Sequence, residues 1–589
     1  MRGSNALLTE DTAIVLALLL KIKLRLQRLF DASEAPSMLP WAAAVGFVGA
    51  LATIIFRDAL RGLQWLFLGR SGSFVEIAES MPWQARIVLP MLGGLVAGGF
   101  LVLAKRRKSD GGSDYMESIA LGEGHVSFSQ TILRSLSSLC TIASGGSIGR
   151  EGSMVQLAAL SASLVGRVTH LDPSRLRLLV ACGAAAGITA AYNAPIASAF
   201  FITEIVLGVI AMDSLGPVMV ASVVANITMR RFPGYQPTYE MPVFPPIANM
   251  EVILFVGLGL LAGFFAPQFL RLLDIIKRAF QKTKLPLPLR LGVGGLIVGI
   301  LSVWVPQVWG NGYSVVNSLL HEPWAWQAVL LVLVFKVIAT AATVGSGAVG
   351  GIFTPTLFVG AAFGFLFGQG MHELWPHAVS APFTYAMVGM GAFLAAATSA
   401  PLMAILMIFE MTLSYQVMLP LMLSCVVSYF IARSMEGTAM YEITTKREKA
   451  EKARLRLRET RMQDFIKAAE TVLPLDAPLH ELTRLFLQYP VKYIYIVDAS
   501  NRYQGVVALQ DLAPVLPDAA AASSRQARDF LRRDFLAVIT PDMSLSEALQ
   551  RFLTHQGERL PVVQDLNDPV LLGVVFKTSL LDTYFRLNR

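Results

Sequence analysis

The sequence predicts an all-α polytopic membrane domain of repeated, broken helices, followed by a soluble α/β domain. Three observations carry this reading. The chain is 54% hydrophobic and 15% charged over 589 residues, too apolar for a soluble protein of this size. Its apolar segments crowd between Leu39 and about Met440, and many are short or interrupted by Gly or Pro. From about residue 442 the composition turns polar, and helix and strand patterns alternate.

Residues 1–36 hold an apolar run, Thr12 to Leu20, trailed by Lys21, Lys23, Arg25 and Arg28. The charge follows the apolar part, the reverse of a secretory signal, so an amphipathic helix at the cytoplasmic face is expected. The membrane domain is expected over 37–441. Apolar segments fall near 41–56, 87–104, 131–145, 153–167, 176–206, 214–228, 249–270, 290–309, 327–344, 352–368, 383–410 and 416–433. Several are shorter than the ~20 residues that a simple span needs. Broken helices at membrane depth are tolerated only where protein buries them or they line a cavity, which is the pattern of a transporter or channel. A charged linker is expected over 442–460 and a soluble domain over 461–589. Basic clusters at 105–108 and 446–461 mark the cytoplasmic side. The net charge of +8 is modest, and no nucleic-acid partner is indicated. Cys140, Cys182 and Cys425 sit in apolar segments without metal-ligand spacing, so they read as core thiols and no metal site is expected.

Within the apolar region one carboxylate stands among glycines, in Gly149-Arg150-Glu151-Gly152-Ser153. An ionisable residue at membrane depth is functional by default. The glycines let backbone N–H groups approach a ligand closely. The apolar run Ser153 to Val165 reads as a helix, whose start offers unpaired N–H groups and a positive dipole end to an anion. Glu151 is then a titratable group placed where an anion would bind.

The membrane region also repeats itself. Ala191-Tyr192-Asn193-Ala194-Pro195 is followed nine residues after its proline by Glu204, and Ala397-Thr398-Ser399-Ala400-Pro401 nine residues after its proline by Glu410. Gly183 and Gly389 each stand twelve residues before their proline, and Ser144 to Gly152 is echoed by Ser346 to Pro355. Paired interrupted segments in two halves point to a site near the midplane, at the repeat interface. Hydropathy does not fix whether the halves are inverted. The matched slots of Glu204 and Glu410 point to structural carboxylates that bond backbone at helix ends. Isolated residues such as His125, His321 and Trp309 read as packing or interface residues.

These residues resemble the CLC family of chloride channels and chloride/proton exchangers. Gly149-Arg150-Glu151-Gly152 and Gly351-Ile352-Phe353-Thr354-Pro355 look like two of its signature segments. Gly187 through Glu204 and Ala400 through Gln416 are similar to it as well, so the resemblance covers roughly 40–445. It implies a homodimer with one anion pathway per subunit and two inverted repeats of tilted helices. It implies that Glu151 is the gating glutamate, whose carboxylate competes with chloride and moves protons. Gly149, Arg150 and Gly152 flank it along the anion path. The backbone N–H groups of Ile352 and Phe353 match donors to the central anion. Tyr441 matches the tyrosine whose hydroxyl contacts that anion from the inner side, and Ser113 matches the filter serine. Neutral donors of this kind replace an anion's hydration without a fixed full charge.

The sequence departs from the family in two places. The usual first signature, Gly-Ser-Gly-Ile-Pro, reads Gly112-Ser113-Asp114-Tyr115-Met116 here. Asp114 is expected to cap the helix that starts there, the other reading being that it faces the pathway and lowers local anion affinity. Exchangers of the family often carry an inner glutamate just after the position of Glu204, and here that residue is Ile205. Isoleucine cannot carry a proton.

The C-terminal region holds a second repeat. Leu475 to Leu482 is echoed by Pro541 to Leu549. The strands Tyr493 to Val497 and Leu560 to Val563 follow, and then strands opening on Gly505 and Gly573. It resembles a pair of CBS motifs, which often bind adenine nucleotides. Asp511 matches an acid that can bind ribose, but Ala508 replaces the usual Ser or Thr and Ser579 replaces the acid of the second motif. Asp511 is therefore expected as a helix N-cap, and the pair as a regulatory or dimer-stabilising module.

Two functions follow, neither of them enzymatic. One is a chloride/proton antiporter gated by Glu151, and the other is a passive gated chloride channel, favoured by Ile205. No required cofactor, metal-ligand set, phosphate-binding loop or nucleophile elbow is legible. Nothing specifies fluoride. The lack of long insertions suggests a bacterial inner-membrane protein with a cytoplasmic CBS pair.

Overall fold

The computed structural model describes residues 34–107, 112, 114–232, 239, 242, 251–376, 379–435, 439–441, 455–457, 459–512, 514, 525–533, 537–553, 555 and 557–587. The expected N-terminal amphipathic helix, Ser113 and most of the expected linker lie outside the described residues. The chain divides into two units, Met1–Thr445 and Lys446–Arg589.

The first unit is helical. Its first half runs α1 (Glu34–Leu68), α2 (Phe74–Ser80), α3 (Trp83–Arg106), α4 (Tyr115–Ala120), α5 (Phe128–Ala143), α6 (Glu151–Val168), α7 (Pro173–Tyr192), α8 (Pro195–Phe200) and α9 (Met212–Arg231). Its second half runs α10 (Glu251–Lys282), α11 (Leu287–Trp304), α12 (Tyr313–His321), α13 (Trp326–Ser346), α14 (Phe353–Leu374), α15 (Pro382–Thr398), α16 (Pro401–Thr412) and α17 (Met418–Ser434). Among the described residues, seven helices are long and apolar enough to cross a membrane: α1, α3, α7, α9, α10, α11 and α13.

The breaks have local causes. Asn193 and Ser399 take left-handed φ values of 59° and 58° and end α7 and α15. Pro195 and Pro401 then occupy first helical positions, where a missing N–H costs nothing. The apolar stretches 176–206 and 383–410, read from sequence as single segments, are each split in two for this reason. After α8 the backbone continues as a π-helical turn, Phe201–Leu207. The helix expected from Ser153 to Val165 begins earlier, at Glu151, and runs to Val168. The short helices α2 and α12 carried no apolar run and were not expected, whereas α4 starts where the Asp114 cap was expected.

Small residues let the inner helices approach closely. A Cβ added to Gly360 of α14 would stand 2.6 Å from the Gly389 carbonyl of α15, and one on Gly364 would overlap the Tyr385 carbonyl. Close backbone approach of this kind drives helix association in membranes. α15 is buried along nearly its whole length, which removes any need for it to match the bilayer thickness.

The halves grip each other reciprocally. The Glu204 carboxylate accepts from Leu402 N–H at 3.3 Å and Met403 N–H at 2.8 Å, at the start of α16. The Glu410 carboxylate accepts from Ile196 N–H at 2.9 Å and Ala197 N–H at 2.7 Å, at the start of α8. Each repeat caps the other's broken helix, satisfying amides that a helix start leaves open. Contacts that exchange partners in this way are the signature of a two-fold relation.

The second unit is α/β. Strand β1 (Val472–Pro474) runs parallel to β2 (Tyr493–Val497), and β2 antiparallel to β3 (Tyr503–Ala508). Strand β4 (Arg559–Val563) pairs antiparallel with β5 (Leu571–Phe576). Helices α18 (Leu479–Gln488), α19 (Leu509–Leu512), α20 (Leu545–Leu553) and α21 (Lys577–Leu587) complete it. Tyr495, Val497 and Val506 of one sheet pack on Leu571 and Val574 of the other, so the two motifs share a core.

Two outcomes are expected. Replacing Glu410 with Ala strips two amides of their acceptor and lowers stability by about 1–3 kcal/mol, read as a lower melting temperature in detergent, and Glu204→Ala does the same. In the second unit, burial lowers the His555 imidazole below its ordinary value, and Lys577 and Lys492 add to this, while the Arg559 carbonyl opposes it. The unfolded chain then takes up the proton first. This contribution is full above the unfolded value of about pH 6.5 and erodes as pH falls below it. Between pH 7 and 5.5 (a range of about one and a half units around that value), melting of this unit should depend less on pH in His555→Gln.

Candidate functional site

The two glycine-rich turns meet backbone to backbone. Gly149 N–H donates to the Gly351 carbonyl, and Gly351 N–H donates to the Gly149 carbonyl, both at 2.8 Å. Side chains are excluded here, because a Cβ on Gly149 would stand 2.8 Å from the Gly351 carbonyl and would overlap the Glu151 carboxylate. The preceding Gly145 and Gly347 adopt φ of 99° and 100°, which a residue with a Cβ rarely takes. The pairing sets the start of α6 beside the start of α14. Glu151, Gly152, Ile352 and Phe353 all line one cavity of about 440 Å³.

Helix geometry leaves the first amides of α6 and α14 without intrahelical acceptors, and the residues at both helix starts line this cavity. Tyr441 enters it from the end of the first unit. Met440 N–H donates to the Ala397 carbonyl at 2.8 Å, and the Tyr441 ring stands edge-on to Phe201 at 5.6 Å. Arg134 and Lys277 also line the cavity. The first motif contributes differently. Asp114 accepts from Met116 N–H at 2.8 Å as the N-cap of α4, as expected, and Gln156 accepts from Tyr115 N–H at 3.0 Å. Both amides are thus committed within the protein.

Glu151 is 3% exposed. Its Oε1 accepts from the Tyr313 hydroxyl at 2.7 Å and from Asn311 Nδ2 at 3.5 Å. Its Oε2 has no hydrogen-bond partner among the described residues. A buried carboxylate oxygen left open is costly, and this sets Glu151 apart from Glu204 and Glu410, whose oxygens are bound by backbone amides. Tyr313 and Asn311 line a second cavity, of about 520 Å³, together with Arg61 and Arg150. Glu151 and Tyr313 therefore stand between two cavities. The Arg150 guanidinium lies 5.7 Å from the Tyr313 ring centroid and belongs to the second cavity, apart from Gly152, Ile352 and Phe353. Ile205 is fully buried in the π-helical turn.

A buried lysine holds this partition. Lys336 Nζ donates to the carbonyls of Val308 and Gly310 at 2.8 Å each and of Trp309 at 3.4 Å. Those carbonyls belong to the loop that leads into Asn311 and Tyr313. Lys336 was legible as a charge inside the apolar run 327–344; Tyr192 and Thr354 lie in segments the sequence singled out, yet nothing there marked their hydroxyls, and Tyr313 carried no signal. In the second unit, Asp511 is not an N-cap. It lies within α19 and its carboxylate is bound by the Arg532 guanidinium, with Nε at 2.6 Å from Oδ2. Sequence spacing could not supply a partner twenty-one residues away.

A family model for voltage-gated chloride channels matches residues 93–433, and one for CBS domains matches 464–518 and 527–585. The ClcB-like protein of Ralstonia nicotianae is 56% identical over 423 residues, 71% of this chain and 99% of that protein. The voltage-gated ClC-type chloride channel ClcB of Escherichia coli is 39% identical over 406 residues, 68% of this chain and 96% of that protein. The crystal structure of a slow cyanobacterial Cl⁻/H⁺ antiporter superposes with a TM-score of 0.62 at 25% identity, covering 71% of this chain and 99% of its own.

Replacing Lys336 with Met leaves the Val308 and Gly310 carbonyls buried without a donor. The expected loss is about 1–3 kcal/mol for each, read as a lower melting temperature of the purified protein.

Proposed function

The chain belongs to the voltage-gated chloride channel (CLC) family, and from that premise we propose that it carries chloride across a membrane in exchange for protons, along a pathway that Glu151 closes. The observation that supports this most is the position of the Glu151 carboxylate, where two helix starts converge between two cavities. An anion and an ionised carboxylate compete for the same positive helix ends. Protonation removes that competition, and an arriving chloride favours it. A group that leaves the path when protonated couples the two fluxes.

In this reading the Ile352 and Phe353 amides, with Gly152, hold the central chloride, and the Tyr441 hydroxyl meets it from the inner side. Gly149 lets the chain come close, and Ser113 adds a further donor. Arg150 draws anions into the outer cavity and does not bind the central ion. Asp114 weakens anion binding at the inner end. No cofactor is required. The protein works as a homodimer in a bacterial inner membrane, with its CBS pair in the cytoplasm. The pair serves as a regulatory or dimer-stabilising module, and the Arg532 ion pair argues against Asp511 holding an adenine nucleotide. A passive channel is the second reading. Ile205 favours it, because an isoleucine replaces the acid expected to relay protons inward.

Glu151→Gln and Glu151→Ala in liposomes should each abolish proton movement while chloride flux persists. Coupled proton flux in either variant, or loss of all chloride flux in folded Glu151→Ala protein, would count against the assignment.

A further inference from the structure

The exchange reading leaves one question that the geometry addresses: with Ile205 unable to hold a proton, a proton from the inner side needs another route to Glu151. Three hydroxyls supply one, those of the buried Tyr192 and Thr354 and the half-buried Tyr313. The Tyr192 hydroxyl lies 3.0 Å from Thr354 Oγ1, Thr354 Oγ1 lies 3.2 Å from the Tyr313 hydroxyl, and Tyr313 donates to Glu151 Oε1 at 2.7 Å. Tyr192 and Glu151 both line the cavity that Tyr441 enters, while Thr354 stands outside that lining and Tyr313 lines the second cavity, so the hydroxyls join two points of one cavity by a path behind its wall. The chain of hydroxyls passes beside Phe353, whose ring packs on Tyr192 at 5.0 Å. It therefore skirts the central anion position.

The direction of every bond follows from counting protons. Each hydroxyl has one to give. The proton of Tyr313 goes to the carboxylate, so its bond with Thr354 must be donated by Thr354. The proton of Thr354 is then spent, and its bond with Tyr192 must be donated by Tyr192. The oxygen of Tyr192 keeps a lone pair for water in the inner cavity. All three bonds point toward Glu151, and aligned hydroxyls of this kind strengthen one another.

We propose that Tyr192, Thr354 and Tyr313 form a proton relay from the inner cavity to Glu151, taking the place of the missing inner acid. In one passage a hydrated proton in the cavity adds to the Tyr192 oxygen, and the proton of Tyr192 moves to Thr354. The proton of Thr354 moves to Tyr313, and that of Tyr313 to Glu151. One O–H bond breaks and one forms at each hydroxyl, so all three end neutral and only the carboxylate gains a proton. Rotation of the hydroxyls resets the relay. Tyr192 has no proton left for an anion while the relay is poised, so it lines the chloride cavity without serving as a chloride donor.

This inference rests on the exchange reading, and the test separates the two. Chloride and proton fluxes are measured together in liposomes for the full-length protein, for Thr354→Val and Thr354→Ser, and for Tyr192→Phe. The last leaves the hydrogen bond of Glu151 untouched. Thr354→Val and Tyr192→Phe should each lower proton flux per chloride by roughly tenfold or more, the scale of a lost proton-transfer group. Thr354→Ser, which restores the hydroxyl, should recover it. A merely structural role for Thr354 would change chloride and proton flux together. An unchanged proton-to-chloride ratio in both Thr354→Val and Tyr192→Phe overturns the relay and leaves the exchange reading standing. Absence of proton movement in the unmodified protein overturns the exchange reading, and the relay with it.

Discussion

Two hydrogen bonds between Gly149 and Gly351 set the geometry on which everything else in the membrane unit depends. They join the turns that open α6 and α14, so two helix starts from different halves of the chain face one cavity. Only glycine allows the approach, since a Cβ at position 149 meets both the opposite carbonyl and the Glu151 carboxylate. The same contact fixes where Glu151 falls, as the first residue of α6. Shape and electrostatics therefore share one origin. In the proposed reading the amides of Gly152, Ile352 and Phe353 hold the anion as neutral donors, which keeps binding weak enough for passage.

Charge inside an apolar medium must be matched by donors or acceptors, and this chain does so in distinct ways. Glu204 and Glu410 are spent on the helix starts of the opposite repeat, and Lys336 is spent on the carbonyls of the 308–310 loop. Glu151 is treated differently, because one oxygen is held by Tyr313 while the other has no partner among the described residues. Fully satisfied carboxylates are structural pins. The half-satisfied one is the group proposed to move, and its single strong partner, Tyr313, belongs to the hydroxyl chain that leads back to Tyr192.

Much of this was legible in the sequence. The Pro195/Glu204 and Pro401/Glu410 spacings announced both the repeat and the structural role of the two glutamates as backbone acceptors at helix ends, but not that each binds the opposite half. The glycines around Glu151 announced a close approach, expected toward a ligand, and for Gly149 the partner is the Gly351 backbone. Asp114 was readable as a cap from its place before Tyr115. What sequence could not show was pairing across distance. The positions of Tyr192, Tyr313 and Thr354 are set by folding, with 162 residues between Tyr192 and Thr354, and nothing local marks a tyrosine as the partner of a distant threonine. Asp511 failed for the same reason, as Arg532 reaches it from another loop. Arg150 was placed with its neighbours in the chain, yet as the N-cap residue it sits before the helix turns and sends its side chain to the other cavity.

The measurement that bears most directly on the account uses the purified protein in liposomes with chloride concentrated inside. Voltage is clamped by a potassium ionophore, and external pH is followed with chloride efflux. The account predicts that chloride leaving the vesicles drives protons inward against their gradient, seen as a rise in external pH. Chloride efflux with no proton movement would contradict it and mark the pathway as uncoupled, with Ile205 as the reason.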